Sequence, residues 1–228
     1  MIENALIEEV WNITLLSLKV SGTAVLIGAL IGIPIGTVLG FRQFRGKRTL
    51  IRLADVTLKS IINTFMGLPP VVVGLVVYLL LTTSGPLGWL GLLYTPTAMI
   101  ITQLIMVIPI IAGVTMSAVG SVEKAIRERA ISLGATETQA ALSVLREARV
   151  GVLTSIIAAF GAAISEVGGI MITGGNIRWV TRTLTTAIVV ETELGDFNMA
   201  LTLGAILLTI AFAINLGLTV LQFKGARR

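Results

Sequence analysis

Five apolar runs, separated by polar stretches or by glycine and proline, set the rhythm of this chain. They cover about Leu15 to Gly40, Val56 to Leu81, Thr95 to Val119, Val150 to Ile172 and Met199 to Leu221. Each exceeds the roughly 20 residues that a helix needs to cross the hydrocarbon of a bilayer, so each predicts a membrane span. Pro34 and Pro109 fall inside runs and predict kinks, while Gly67-Leu68-Pro69-Pro70 predicts a break or bend in the second. Gly28, Gly32, Gly36 and Gly40 recur every four residues in the first run, with Ala24 one step earlier. Such a smooth stripe predicts close approach to another helix, within the subunit or across a dimer; lining a pore is the alternative.

Between the third and fourth runs lies the longest polar stretch, Ser121 to Arg149, which reads as a pair of short helices broken at Gly134 and presented at a membrane surface. Ahead of the first run, Met1 to Asn12 carries Glu3, Glu8, Glu9 and Trp11 and reads as an amphipathic segment able to lie at the interface. It is acidic where a cleavable signal peptide has a basic start. The expected organisation is an interfacial segment over 1–14, a transmembrane body over 15–222 with a polar loop at 121–149, and a basic tail over 223–228.

Composition fixes the fold class. With 55% hydrophobic and 13% charged residues in 228, and a mean hydropathy of +0.96, the apolar surface exceeds what one soluble core can hide. The expectation is an all-α membrane protein of about five transmembrane helices in a lipid bilayer. Cys and His are absent, which removes thiol chemistry, disulfides, the usual zinc ligands and the commonest general base. No cofactor, metal site or catalytic residue is expected. The pI near 10.1 suggests nucleic acid at first sight, but the basic residues gather beside apolar runs, as topology signals do.

Of the 17 Lys and Arg residues, all but Lys19, Arg178 and Arg182 fall on one side if Phe41 to Asp55, Lys59, Gly120 to Arg149 and the tail are placed together. That side is then the cytoplasm. Five spans put the N-terminus outside and the C-terminus inside. A nucleotide site is not visible in this chain: Gly40 to Arg48 has five residues between its glycines instead of four, and Arg48 where a phosphate-binding loop needs Ser or Thr. It reads as a basic cytoplasmic turn.

Polar side chains in or beside the spans are the remaining candidates. Asn63, Thr64, Ser165, Thr173, Asn176, Thr185 and Thr186 can donate hydrogen bonds to a passing ligand, or can bond their own helix backbone or glue helices together. Glu166 is an ionisable group read as lying inside the fourth span, where it is costly. It is expected either to be protonated or to pair with Arg178 or Arg182 in a structural or gating role.

Two sets of residues resemble a known family. Glu128-Arg129-Ala130, followed by Gly134-Ala135 and an apolar Val144, resembles the EAA loop of ATP-binding-cassette (ABC) importer permeases, with Arg129 where the family has a second Ala and Glu147 near its Pro. That resemblance implies that Glu128, Arg129, Ala130, Gly134 and Ala135 couple the chain to a cytoplasmic ATPase. A solvated hairpin without a partner is the alternative. The second set is Leu68-Pro69-Pro70 to Gly74, Ser84-Gly85-Pro86-Leu87-Gly88, Thr95 to Ile100, Ala163 to Gly168, Gly174-Gly175-Asn176-Ile177, Thr181 to Ile188, Glu191-Thr192 and Gly195-Asp196-Phe197. It is similar to the permeases of tungstate importers, in the oxyanion branch that also includes molybdate. The resemblance implies two copies of the permease, two of a separate ATPase and an extracytoplasmic binding protein that delivers the ion. The permease would form the route itself, with Asn63, Thr64, Ser165, Glu166, Thr173, Asn176, Arg178 and Arg182 as path or gate candidates and no nucleic acid among its partners. A secondary transporter would need inverted repeats with a charged midplane cluster, and an intramembrane enzyme would need a nucleophile and base within reach. Neither pattern is visible.

Overall fold

The computed structural model describes Ile2–Phe41 and Thr49–Ala226. The core of the basic turn expected at Gly40 to Arg48, and the last two residues of the tail, lie outside the described residues. Among the described residues eight α-helices follow one another: α1 (Ile2–Phe41), α2 (Thr49–Met66), α3 (Pro70–Leu81), α4 (Pro96–Ser132), α5 (Glu137–Ile164), α6 (Gly168–Gly174), α7 (Leu184–Glu193) and α8 (Phe197–Ala226), with a 3-10 turn at Gly88–Leu90. No strand occurs among the described residues.

Leu6–Phe41, Pro96–Val122, Glu137–Ile164 and Phe197–Phe223 are each long and apolar enough to span a bilayer, and α2 with α3 qualifies only as one broken span or a re-entrant pair. Among the described residues the count is therefore four, or five with that pair. The break falls where proline predicts it: α2 ends at Met66, Pro69 caps α3 and Pro70 occupies its first position, where the missing N–H costs nothing. By contrast α1 continues through Pro34 and α4 through Pro109.

Three readings need correction. The segment before Leu15 is not an element of its own; it is the first turns of α1, which is continuous from Ile2. The polar stretch is not a pair of separate short helices but the prolonged ends of α4 and α5, joined at Gly134. The fourth span does not run to Ile172: α5 stops at Ile164, and a new short helix starts at Gly168. No proline marks that stop, and its cause lies in the side chain of Glu166, described below.

The chain forms two compact units. The first comprises 1–26, 68–106 and 160–216. Within it α3 lies against α6 so closely that a Cβ on Gly74 would stand 2.5 Å from the Cα of Gly169. Its apolar interior gathers Val73, Val77, Leu81 and Ala98, then Val20, Met99 and Ile170, and finally Ile13, Leu184, Ala187 and Leu203. The second unit comprises 27–67, 107–159 and 217–228. Here the glycine stripe of α1 receives α4: added Cβ atoms would stand 2.7 Å from Val107 at Gly28, 2.9 Å from Ile111 at Gly32 and 2.7 Å from Val119 at Gly40, and would collide with the carbonyl oxygen of Ala112 at Gly36. The stripe is thus a helix-packing face.

Candidate functional site

At the tip of the second unit, the backbone explains why Gly134 is glycine. Its φ is +86°, a left-handed conformation that costs a β-bearing residue energy. The Gly134 N–H donates to the carbonyl of Ile131 at 2.9 Å, and the Ala135 N–H to the carbonyl of Ala130 at 3.0 Å. These two bonds form the paired closure by which a helix end satisfies its last carbonyls. The next helix is capped at once: the Thr136 N–H donates to Gln139 Oε1 at 2.9 Å, and the Gln139 N–H to Thr136 Oγ1 at 3.4 Å. Arg127 bridges the turn with two hydrogen bonds of 2.7 Å to Glu137. Val144 and Ala148 are buried against Val119, and Val122 and Ile126 pack on them, so the base of the hairpin is fixed. Its tip is not covered. Glu128 and Arg129 are exposed, Ala130 and Ala135 are half-buried, and Leu133 is 84% exposed.

A second constellation occupies the first unit. Glu166 sits in the turn between α5 and α6, not inside a span helix, and its carboxylate accepts the N–H of Gly169 at 2.6 Å and of Ile170 at 3.1 Å. These are orphan donors of the first turn of α6, and satisfying them starts the new helix. Ser165, beside it, is exposed and donates back to the carbonyl of Gly161 at 2.7 Å. The carbonyl of Glu166 accepts the Thr185 hydroxyl at 2.8 Å. Thr173 is fully buried, donating to Gly169 O at 2.9 Å and contacting the Thr102 hydroxyl at 3.0 Å. Thr186 closes the capping box of α7 with Thr183. The expected pair between Glu166 and an arginine does not form, because two backbone donors already occupy the carboxylate and the arginines have another acid.

That acid is Glu9, in the first helix. Arg178 donates to both of its oxygens, by Nε at 2.6 Å and by Nη2, and Arg182 Nη1 lies 3.5 Å from Glu9 and 3.5 Å from Glu191. The hydrogen bond and charge of Glu9 hold the Arg178 guanidinium above its ordinary pKa, so it stays ionised. The loop carrying these arginines is tied by Thr181, which accepts the Ile177 N–H at 2.9 Å and donates to Gly174 O at 2.6 Å. Asn176 enters it with φ +48° and leaves Oδ1 buried without a partner.

Sequence reasoning passed over Gln103. It is buried in the first unit, and its Nε2 donates to Ala163 O at 2.8 Å and approaches Ser21 Oγ at 3.4 Å, joining three helices. An amide in mid-span was the signal. Of the other candidates, Asn63 and Thr64 lie exposed on α2 in the second unit, and Thr64 donates to the carbonyl of Ser60 at 2.8 Å. In the first unit the structure therefore places Ser165 and Glu166 in one turn, with Thr173 of α6 and Thr185 of α7 packed beside it, and Asn176, Arg178 and Arg182 in one loop. Asn63 and Thr64 belong to the other. No cluster able to hold a metal ion occurs among the described residues.

Comparison with known proteins agrees with this architecture. The family described as "Binding-protein-dependent transport system inner membrane component" matches residues 20–225. A probable anion ABC transporter permease of Haloferax volcanii is 48% identical over 90% of this chain and 87% of its own. The tungstate uptake system permease protein TupB of Peptoclostridium acidaminophilum is 41% identical over 94% of this chain and 90% of its own, and that of Campylobacter jejuni 36% over 77% and 70%. Among solved structures, the inward-facing MetNI methionine ABC transporter aligns with a TM-score of 0.72 at 17% identity, covering 96% of this chain and 95% of that one, a likeness of fold. With its all-helical spans and a match over residues 20–225, the chain belongs to the inner membrane component family of binding-protein-dependent transport systems and is a permease subunit of an ABC importer in the cell membrane.

Proposed function

We propose that this permease carries tungstate inward, with two copies of the chain forming the route and two copies of a separate ATPase driving it. An extracytoplasmic binding protein delivers the ion. The observation that carries the cargo is relatedness: two relatives named for tungstate uptake are 41% and 36% identical, whereas a molybdenum permease of Escherichia coli is 28% identical over 83% of this chain. Molybdate or another oxyanion is the second reading, favoured by the 48% identical relative named only for an anion.

Labour divides between the coupling hairpin and the path. The N-terminus lies outside and the C-terminus in the cytoplasm, as the asymmetry of basic residues supports. Glu128, Arg129, Ala130, Gly134 and Ala135 seat in a cleft of the ATPase; the uncovered Leu133 beside them, at the end of a rigid capped hairpin, supports this reading. A permease must release what it conducts, so its path offers donors without a deep site, and tight selection belongs to the delivery protein. Asn63 and Ser165 are exposed and suited to direct contact, while Thr64 bonds its own helix. Glu166 and Thr173 are buried and satisfied, and they act as gate elements by fixing the break between α5 and α6. Asn176, Arg178 and Arg182 hold the outer loop that the anion passes.

Uptake decides the cargo. Cells expressing this chain with its ATPase and binding protein should accumulate tungstate, with excess molybdate or sulfate competing poorly. Preferential uptake of molybdate or sulfate would replace tungstate by that ion.

A further inference from the structure

Lys19 lies within the first membrane span, ten residues beyond Glu9 and so about 15 Å further along the helix. It is exposed, and no carboxylate lies within 4 Å of it among the described residues. An ionised lysine at such a position is costly unless something answers its charge. It lines a cavity of about 200 Å³ in the first unit, together with Glu9, Asn12, Trp179, Val180 and Arg182. The charges there do not balance. Of the charged residues lining it, Lys19 and Arg182 stand against Glu9 alone; Arg182 also reaches Glu191, and Arg178 already takes both oxygens of Glu9. Arg182 is left with ion pairs no shorter than 3.5 Å, and its Nε is buried with no hydrogen-bond partner. The cavity thus lacks one negative group with hydrogen-bond acceptors.

We propose that this cavity binds the headgroup phosphate of an anionic phospholipid, held by Lys19 and Arg182. Three features favour a lipid over a free oxyanion. Trp179 and Val180 line the cavity and are about half exposed, an apolar surface of the kind that suits the membrane interface and against which acyl chains can lie. In a helix each side chain leans toward the N-terminus, which carries the Lys19 ammonium from mid-span toward the interface, where lipid phosphates reside. A phosphodiester is also held at that interface by its own acyl chains, whereas a free dianion must be drawn there from bulk water.

The test uses the full-length chain, purified in the assembly it forms and returned to nanodiscs or mild detergent. Retention of phosphatidylglycerol and phosphatidylcholine is followed by native mass spectrometry, with inorganic phosphate as the free-ion arm. The wild type should hold phosphatidylglycerol in preference to phosphatidylcholine, and inorganic phosphate at equal concentration should not displace it. Lys19→Gln should weaken phosphatidylglycerol binding about fivefold, the effect of one basic residue near a charged surface, without changing phosphatidylcholine. Lys19→Arg should keep the preference. Unchanged phosphatidylglycerol affinity in Lys19→Gln would overturn the proposal, and so would loss in Lys19→Arg with assembly intact. Displacement by inorganic phosphate would also overturn it, since the site would then be one for a free oxyanion.

Discussion

Arg178 and Glu9, 169 positions apart in sequence, meet in a two-pronged ion pair that ties the loop before α7 to the first helix. The two sides of the pair are not equivalent. Glu9 is buried, while the Arg178 side chain is 60% exposed. Losing Glu9 therefore leaves Arg182 without one of its acids, whereas losing Arg178 leaves Glu9 still facing Arg182. Glu9→Gln should lower stability by about 2 kcal/mol and Arg178→Gln by about 1 kcal/mol, the partial exposure of the pair keeping both below the cost of breaking a fully buried one. Thermal midpoints of the two variants and of the double variant check this. The double variant should be no worse than Glu9→Gln alone; strict additivity would mean that the pair is not coupled.

Glu166 offers a sharper comparison, because its partners are backbone donors. Glu166→Gln keeps one acceptor oxygen but replaces the other by a donor, so either Gly169 or Ile170 loses its bond. A cost of about 1.5–3 kcal/mol follows, as for hydrogen bonds to charged groups. Transport should fall while the chain still inserts. Combined with Arg182→Gln, the effects on the thermal midpoint should add, since the two side chains share no partner. Rescue of one by the other would show an electrostatic link that the geometry lacks.

These two sites also mark where the chain was legible and where it was not. The break before α3 is written in Pro69 and Pro70, because the chemistry of proline acts locally. Gly134 is legible for the same kind of reason, needing only its own φ. The stop at Ile164 is not. Glu166 ends α5 through its bonds to the next helix and through the Thr185 hydroxyl, a contact that exists only once the chain has folded back. Arg178 and Arg182 were visible as cations set apart from the other basic residues, and Glu9 as an acid ahead of the first run, but only packing could decide that they pair and leave Glu166 to the backbone.

The glycine stripe can be tested against a glycine of the same helix. A Cβ added at Gly22 meets nothing within 4 Å, whereas one at Gly36 collides with the backbone of α4. Gly22→Ala should be neutral or raise stability by up to about 1 kcal/mol, because alanine loses less entropy in a helix. Gly36→Ala should cost about 1–3 kcal/mol through forced separation of the helices. Equal thermal midpoints for the two would mean that the stripe is not a packing face.

Orientation is open to direct labelling, since the chain has no cysteine of its own. Trp89 is 80% exposed in the turn after α3, and Leu133 is similarly bare at the hairpin tip. Trp89→Cys should react with an impermeant maleimide in intact cells, and Leu133→Cys only after the cells are opened. Labelling of Leu133→Cys from outside would invert the topology.

The hairpin tip carries the last prediction, and here fold and function can be separated. Nothing stands within 4 Å of a Cβ built on Gly134, so a larger residue fails there through its backbone and not through a clash. Gly134→Val should cost about 1–2 kcal/mol, the penalty of the left-handed region, and should disturb the closure that fixes Ala130 and Ala135. Gly134→Asn, which tolerates that region better, should retain more of the wild-type behaviour. Leu133→Asp instead leaves the backbone untouched and changes only an exposed surface, so its thermal midpoint should stay within about 0.5 kcal/mol of the wild type. If the tip seats in an ATPase, Leu133→Asp should nonetheless abolish co-purification of that subunit and oxyanion uptake together. Normal uptake in Leu133→Asp would make the tip a solvated turn, because the only property removed is the apolar surface a partner would cover.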